Sequence, residues 1–108
     1  MTHDSPLFRV DKFVVPQEAR DAFLEKVRET HAILSRQPGF LRDLLLEQYA
    51  GPGKFNIVTL VEWQNEAANA AARTAVEAAR ADTGFDPQAF MARLNIEADM
   101  ANYRSISH

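Results

Sequence analysis

Two opposite charges stand two residues apart in the run Leu7-Phe8-Arg9-Val10-Asp11-Lys12-Phe13-Val14-Val15. The aromatic and β-branched content of this run predicts a strand. Alternation along it puts Arg9 and Asp11 on one side with Leu7, Phe13 and Val15, and Lys12 on the other with Phe8, Val10 and Val14. A carboxylate such as Asp11 can take a proton where burial raises its pKa, and a neighbouring guanidinium such as Arg9 can steady the anion left behind. Trp63, at the end of another strand-like run, offers an aromatic surface on which a ring could stack. Those three are the candidate catalytic residues, and Tyr49 and Tyr103 are candidate substrate contacts at a rim. Each has a plainer reading as well. Arg9 and Asp11 also fit a same-face ion pair, Trp63 fits the core or a lid under a helix, and the tyrosines fit strand edges or an interface.

The elements that must position these residues follow from pattern. Residues 38–63 read as a β-hairpin, with Phe40–Tyr49 and Phe55–Trp63 as strands around the turn Ala50-Gly51-Pro52-Gly53-Lys54. That turn joins two strands, so it lacks the strand-loop-helix context of a phosphate-binding loop. The second hairpin strand is apolar on both faces apart from Asn56, Thr59 and Glu62, which predicts a central position. Before the hairpin, Pro16 suits a first helical position, and Ala19, Phe23, Val27 and Leu34 form a helical stripe to about Arg36. Pro38 and Gly39 stop that helix. After the hairpin, Asn65 is an N-cap for a helix over 66–81 in which nine of sixteen residues are alanine. Its inner face is read as Ala68, Ala71, Ala72, Ala75 and Ala79, and its outer face as Arg73, Glu77 and Arg80. So small a face can pack closely on a sheet or leave room above it. Gly84 ends the helix, Asp86-Pro87 opens a short third helix anchored by Phe90, Met91 and Leu94, and Asp99–Ser107 reads as a last strand.

The order β-α-β-β-α-(α)-β is the α+β, ferredoxin-like split arrangement, an antiparallel sheet with helices on one face. Phe8, Val10 and Val14 would then lie on an uncovered face, so a homodimer through the sheet face is expected. One domain over residues 1–108 is the expectation from length. The chain has no cysteine, which excludes disulfides, thiolate metal sites and a cysteine nucleophile. A net charge of -3 with scattered basic residues gives no footprint for nucleic acid. No apolar run is long enough for a membrane span and none resembles a signal peptide, so a cytoplasmic location is expected. His3, His31 and His108 are too dispersed for a metal site, and His31 reads as a structural residue at the core edge.

Gln37-Pro38-Gly39-Phe40 after the first helix, the hairpin, and Val61-Glu62-Trp63-Gln64-Asn65-Glu66-Ala67-Ala68 at the start of the second helix resemble the antibiotic biosynthesis monooxygenase family of dimeric α/β barrels. The resemblance covers about residues 7–107. It implies a cofactor-independent monooxygenase acting on a phenolic or quinol-like aromatic, or else a non-catalytic dimeric protein that binds a small ligand. Under the first reading Arg9 would stabilise a phenolate, Asp11 would take a proton and Trp63 would stack on the ring. Haem-degrading relatives are similar in placing tryptophan where Trp63 stands and asparagine where Asp11 aligns. Their axial histidine would fall near Ala72 or Arg73, yet no histidine lies between residues 32 and 107. A haem iron needs an axial donor, so no cofactor and no metal are expected.

Overall fold

A computed structural model describes residues 5–106. Four strands, β1 (Leu7–Val14), β2 (Phe40–Glu47), β3 (Ile57–Trp63) and β4 (Glu97–Arg104), form one antiparallel sheet in the order β2-β3-β1-β4. A 3₁₀ turn at Gln17–Ala19 leads into α1 (Arg20–Leu34), and α2 (Glu66–Thr83) and α3 (Pro87–Arg93) complete the helical layer. The expected α+β split arrangement is what the chain adopts, with β3 and β1 central. Boundaries differ at the ends. Pro16 precedes the 3₁₀ turn instead of opening the α-helix, and both hairpin strands are shorter than expected. The last strand begins at Glu97 and ends at Arg104; Ser107 lies outside the described residues.

The stops and starts have local causes. Asn65 caps α2 by accepting from Ala68 N–H at 2.8 Å, and Asp86 caps α3 by accepting from Gln88 and Ala89. Gly84 closes α2 in the left-handed region, at φ 73°. Asn56 clamps the start of β3 to the end of β1, since its amide donates to Val15 C=O and its oxygen accepts from Val15 N–H, both at 2.8 Å.

Leu7, Phe13, Ile57, Val61 and Trp63 project from the sheet beneath the helices. Phe13, Ile57 and Val15 pack with Phe23 and Leu24 of α1 and Phe90 of α3, while Leu7, Val61 and Trp63 pack with Ala72 of α2. A register shift between Phe40 and Arg42 is a bulge that exchanges the faces of β2. Phe40 lies across from Trp63, but beyond the bulge Asp43, Leu45 and Glu47 face the helices and Arg42, Leu44 and Leu46 face away. The other side of the sheet carries Phe8, Val10, Val14, Leu44, Leu46, Val58, Leu60 and Tyr103 with no helix over it.

Gly39 sets how closely β2 enters beneath α2. Its φ is 87°, and a Cβ placed there would collide with the Ala68 Cβ. Gly39→Ala is therefore expected to cost roughly 2–4 kcal/mol, combining left-handed strain with overpacking. Urea unfolding checks this: adding Ala68→Gly should recover part of the loss by relieving the collision, and an unchanged midpoint in Gly39→Ala would show that the approach is not tight.

Candidate active site between the sheet and the helices

Ala72 is buried against Leu7, Val61 and Trp63, so at that point helix and sheet are in contact. Beside the contact the layers part. A cavity of about 270 Å³ opens over Arg9, Asp11, Val61 and Trp63 on the sheet, with Asn69, Arg73, Glu77 and Arg80 of α2 on its other wall. A second cavity of about 310 Å³ continues toward α3, lined by Phe13, Phe23, His31, Thr59, Phe90 and Met91 among others. The two share Arg9, Asp11, Thr30 and Arg80, so they adjoin along those four residues. The alanine face thus gives both outcomes that its size allowed, close packing at Ala72 and open space alongside.

Arg9 Nε donates to Asp11 Oδ1 at 2.7 Å, and both side chains are about one-fifth exposed. The ion pair and the cleft position are therefore not alternatives; both hold. Burial pushes the Asp11 carboxyl above its usual range, opposed by the charge and hydrogen bond of Arg9 and then by the charges of His31 and Arg73. Arg80 is half-buried, and desolvation pushes its guanidinium down from its usual range against the opposing charge of Glu77. Among the described residues no carboxylate is within ion-pair distance of Arg80 or Arg73. With Arg9 already neutralised by Asp11, the α2 wall carries two arginines against Glu77. A cleft of that balance favours an anion.

The structure brings Arg9, Asp11 and Trp63 to one cavity and leaves the two tyrosines out. Tyr49 lies beyond the end of β2 and is 98% exposed. Tyr103 pairs with Phe8 on the far side of the sheet, where Lys12 Nζ lies 5.7 Å from its ring centre. Trp63 is 1% exposed, with Phe40 set edge-on at 5.8 Å and 81°. A ring so thoroughly covered is an apolar floor rather than a stacking platform, and it is as much core as cavity. Of the outer face read from spacing, Arg73 and Glu77 are exposed and edge the cavity, whereas Arg80 turns inward and is half-buried. The buried positions of α2 are Ala72 and Val76, and Arg80 continues that row at the next i+4 step while Arg73 and Glu77 flank it.

His31 and Thr30 were not foreseen in the cleft. His31 Nδ1 lies 2.8 Å from Asp43 Oδ2, a meeting that depends on the β2 bulge. Among the described residues no cluster of three or more His, Cys, Asp or Glu side chains could hold a metal ion, and no helix is long and apolar enough to cross a membrane.

Similar folds include a protein of Shewanella loihica, 21% identical with a TM-score of 0.72, covering 96% of this chain and 97% of that one. SnoaB, a cofactor-independent oxygenase from Streptomyces nogalater, is 19% identical with a TM-score of 0.65 and 96% coverage of both chains. A Methanosarcina mazei protein is 14% identical with a TM-score of 0.71, again with 96% of each chain covered. Identities this low establish likeness of fold. No curated protein matches the sequence. The family model for antibiotic biosynthesis monooxygenase matches residues 6–82, which spans β1 through nearly all of α2 and so contains both walls of the first cavity. On that match the chain belongs to the antibiotic biosynthesis monooxygenase family.

Proposed function

We propose that this protein is a cofactor-independent monooxygenase that oxidises a phenolic or quinol-like aromatic with dioxygen. The observation that carries the reading is the Arg9–Asp11 pair set over an apolar floor in a cleft whose other wall holds the unneutralised Arg80. Small-molecule sites are typically about 300–1,000 Å³, and the two adjoining cavities suit a flat ring system lying along the sheet.

The chemistry needs proton removal, an anion hold and access for oxygen. An anthrone-type CH₂ gives a proton to Asp11, whose raised pKa makes it a stronger base than an exposed aspartate. The electron pair left on carbon, delocalised to the aromatic oxygen, is held by Arg9 and Arg80. Carbon then reduces dioxygen and bonds to it as a peroxide. Loss of the second C–H proton with cleavage of the O–O bond leaves a carbonyl and releases water, so one CH₂ and one O₂ become one C=O and one H₂O. Metal-free protein should therefore consume oxygen with anthrone and yield the quinone. Thermal stabilisation by a panel of such aromatics without turnover would support the ligand-binding alternative instead.

The uncovered sheet face fits a second copy of the chain. Leu44, Leu46 and Tyr103 are each 39–48% exposed there, and an apolar sheet face of this extent is seldom left to water. Sedimentation at micromolar concentration should give a dimer, and Leu44→Glu with Leu46→Glu a monomer; a strictly monomeric wild type would contradict the arrangement. The cysteine-free composition suits a reducing compartment such as the cytoplasm.

A further inference from the structure

The second cavity has a polar group that the reaction above leaves unused. His31 stands in the last turn of α1, 9% exposed, with Nδ1 on Asp43. A carboxylate at Nδ1 holds the neutral ring with its proton there and leaves the lone pair on Nε2. Among the described residues Nε2 has no hydrogen-bond partner, yet no buried side-chain nitrogen or oxygen lacks one. Nε2 therefore reaches accessible space, and the space that His31 lines is the second cavity.

We infer that His31 is a catalytic proton acceptor of the cleft, working from the second cavity, with Asp43 as the residue that positions its ring. This rests on the oxygenase reading above. Asp11, bonded to Arg9 through one oxygen, takes the first C–H proton, and the uncommitted His31 lone pair is free for the second. The charged groups lining the same cavity are Arg9 and Asp11 from β1, Lys26 from α1 and Arg80 from α2; α3 presents the neutral Gln88. Asp11 takes the first C–H proton as above, and the carbon that keeps the electron pair reduces dioxygen, the oxidant, and bonds to it; Asp11 then returns its proton to the outer peroxide oxygen. Nε2 removes the second C–H proton as that electron pair forms the carbonyl and the O–O bond breaks, and the departing hydroxide takes the proton from the imidazolium and leaves as water. Asp43 offsets the imidazolium charge while it lasts.

Nitrogen NMR of the histidine rings, assigned by the signal missing in His31→Gln, is the first arm. The neutral His31 ring should carry its proton on Nδ1, and saturating β-naphthol should move its Nε2 resonance. Steady-state turnover of anthrone is the second arm. His31→Gln and His31→Ala should lose about 100-fold in kcat, with KM held within about threefold. Added imidazole should restore part of the rate to His31→Ala and none to His31→Gln, a response that a structural histidine would not produce. Asp43→Asn should lower kcat and shift the tautomer toward protonated Nε2. An Nε2-protonated wild-type ring, an Nε2 signal unmoved by bound β-naphthol, or full kcat in folded His31→Gln would overturn the role of His31 and leave the oxygenase standing. A wild type that neither binds β-naphthol nor turns over anthrone would overturn both.

Discussion

Asp11→Asn is expected to slow oxidation of an anthrone by about 100-fold or more, the range that a positioned general base contributes, while leaving the fold intact. The amide keeps the shape of the carboxylate and can still accept from Arg9 Nε, so the 2.7 Å contact survives as a neutral one. What it loses is the ability to take a proton. Because Arg9 is no longer neutralised, the cleft becomes more positive, and anionic aromatics should bind at least as well. The expected signature is therefore a fall in kcat with KM unchanged or lower, measured by oxygen uptake. A parallel fall in affinity would mean that Asp11 orients the ligand and does not act on it.

The same substitution has a stability consequence with a definite sign. Burial raises the folded pKa of Asp11 above its ordinary value. Between that value and the raised one, the folded state holds more of the Asp11 proton than the unfolded state does. Stability from this group is thus greatest at low pH and declines as pH rises through that interval. The difference between wild type and Asp11→Asn in urea midpoint should shift in favour of the variant across the same interval. A constant difference would show that Arg9 offsets the desolvation completely.

Trp63→Ala should be the most destabilising single substitution in the cleft, at about 3–5 kcal/mol, as for other large-to-small changes in a packed core. The ring is 1% exposed and joins Leu7, Val61, Ala72 and the edge of Phe40 into one cluster. For a domain of this size each kcal/mol shifts Tm by roughly 4–8 °C, so calorimetry should show a fall of more than about 10 °C. Activity lost in this variant says little about chemistry, since the floor of the cavity goes with the core. Trp63→Phe separates the two: it should recover most of the Tm, and turnover should follow it. Trp63→Ala with a near wild-type Tm would contradict the packing described for the floor.

The fold was legible because each element carried its own punctuation. Pro38-Gly39, Asn65, Gly84 and Asp86-Pro87 mark helix ends, and the apolar runs between them have strand or helix period. Half of the candidate site was legible for a related reason, since strand alternation puts Arg9 and Asp11 beneath the helices along with Leu7 and Phe13. The other half was hidden by two local events. One is the bulge after Phe40, which turns Asp43 toward His31; no alternation pattern signals it, because β2 is rich in leucine on both faces. The other is the rotation of α2. Alanine gives little contrast between inside and outside, so the helix turns to bury Ala72 and Val76 and brings Arg80 to the cleft wall. The chemistry of a tyrosine carries no register signal, and the observed register sends Tyr103 to the far face.

In the reaction proposed for it, the cleft around Arg9 and Asp11 transfers oxygen from dioxygen to an aromatic without a cofactor. Single-turnover oxidation of an anthrone under isotopically labelled dioxygen, with rigorously metal-free wild-type and Asp11→Asn protein, tests it most directly. The wild type should place one labelled oxygen atom in the quinone and the other in water, and the variant should form little product above the uncatalysed background. Product formed equally fast by both proteins, or wild-type quinone whose new oxygen comes from water, would contradict it.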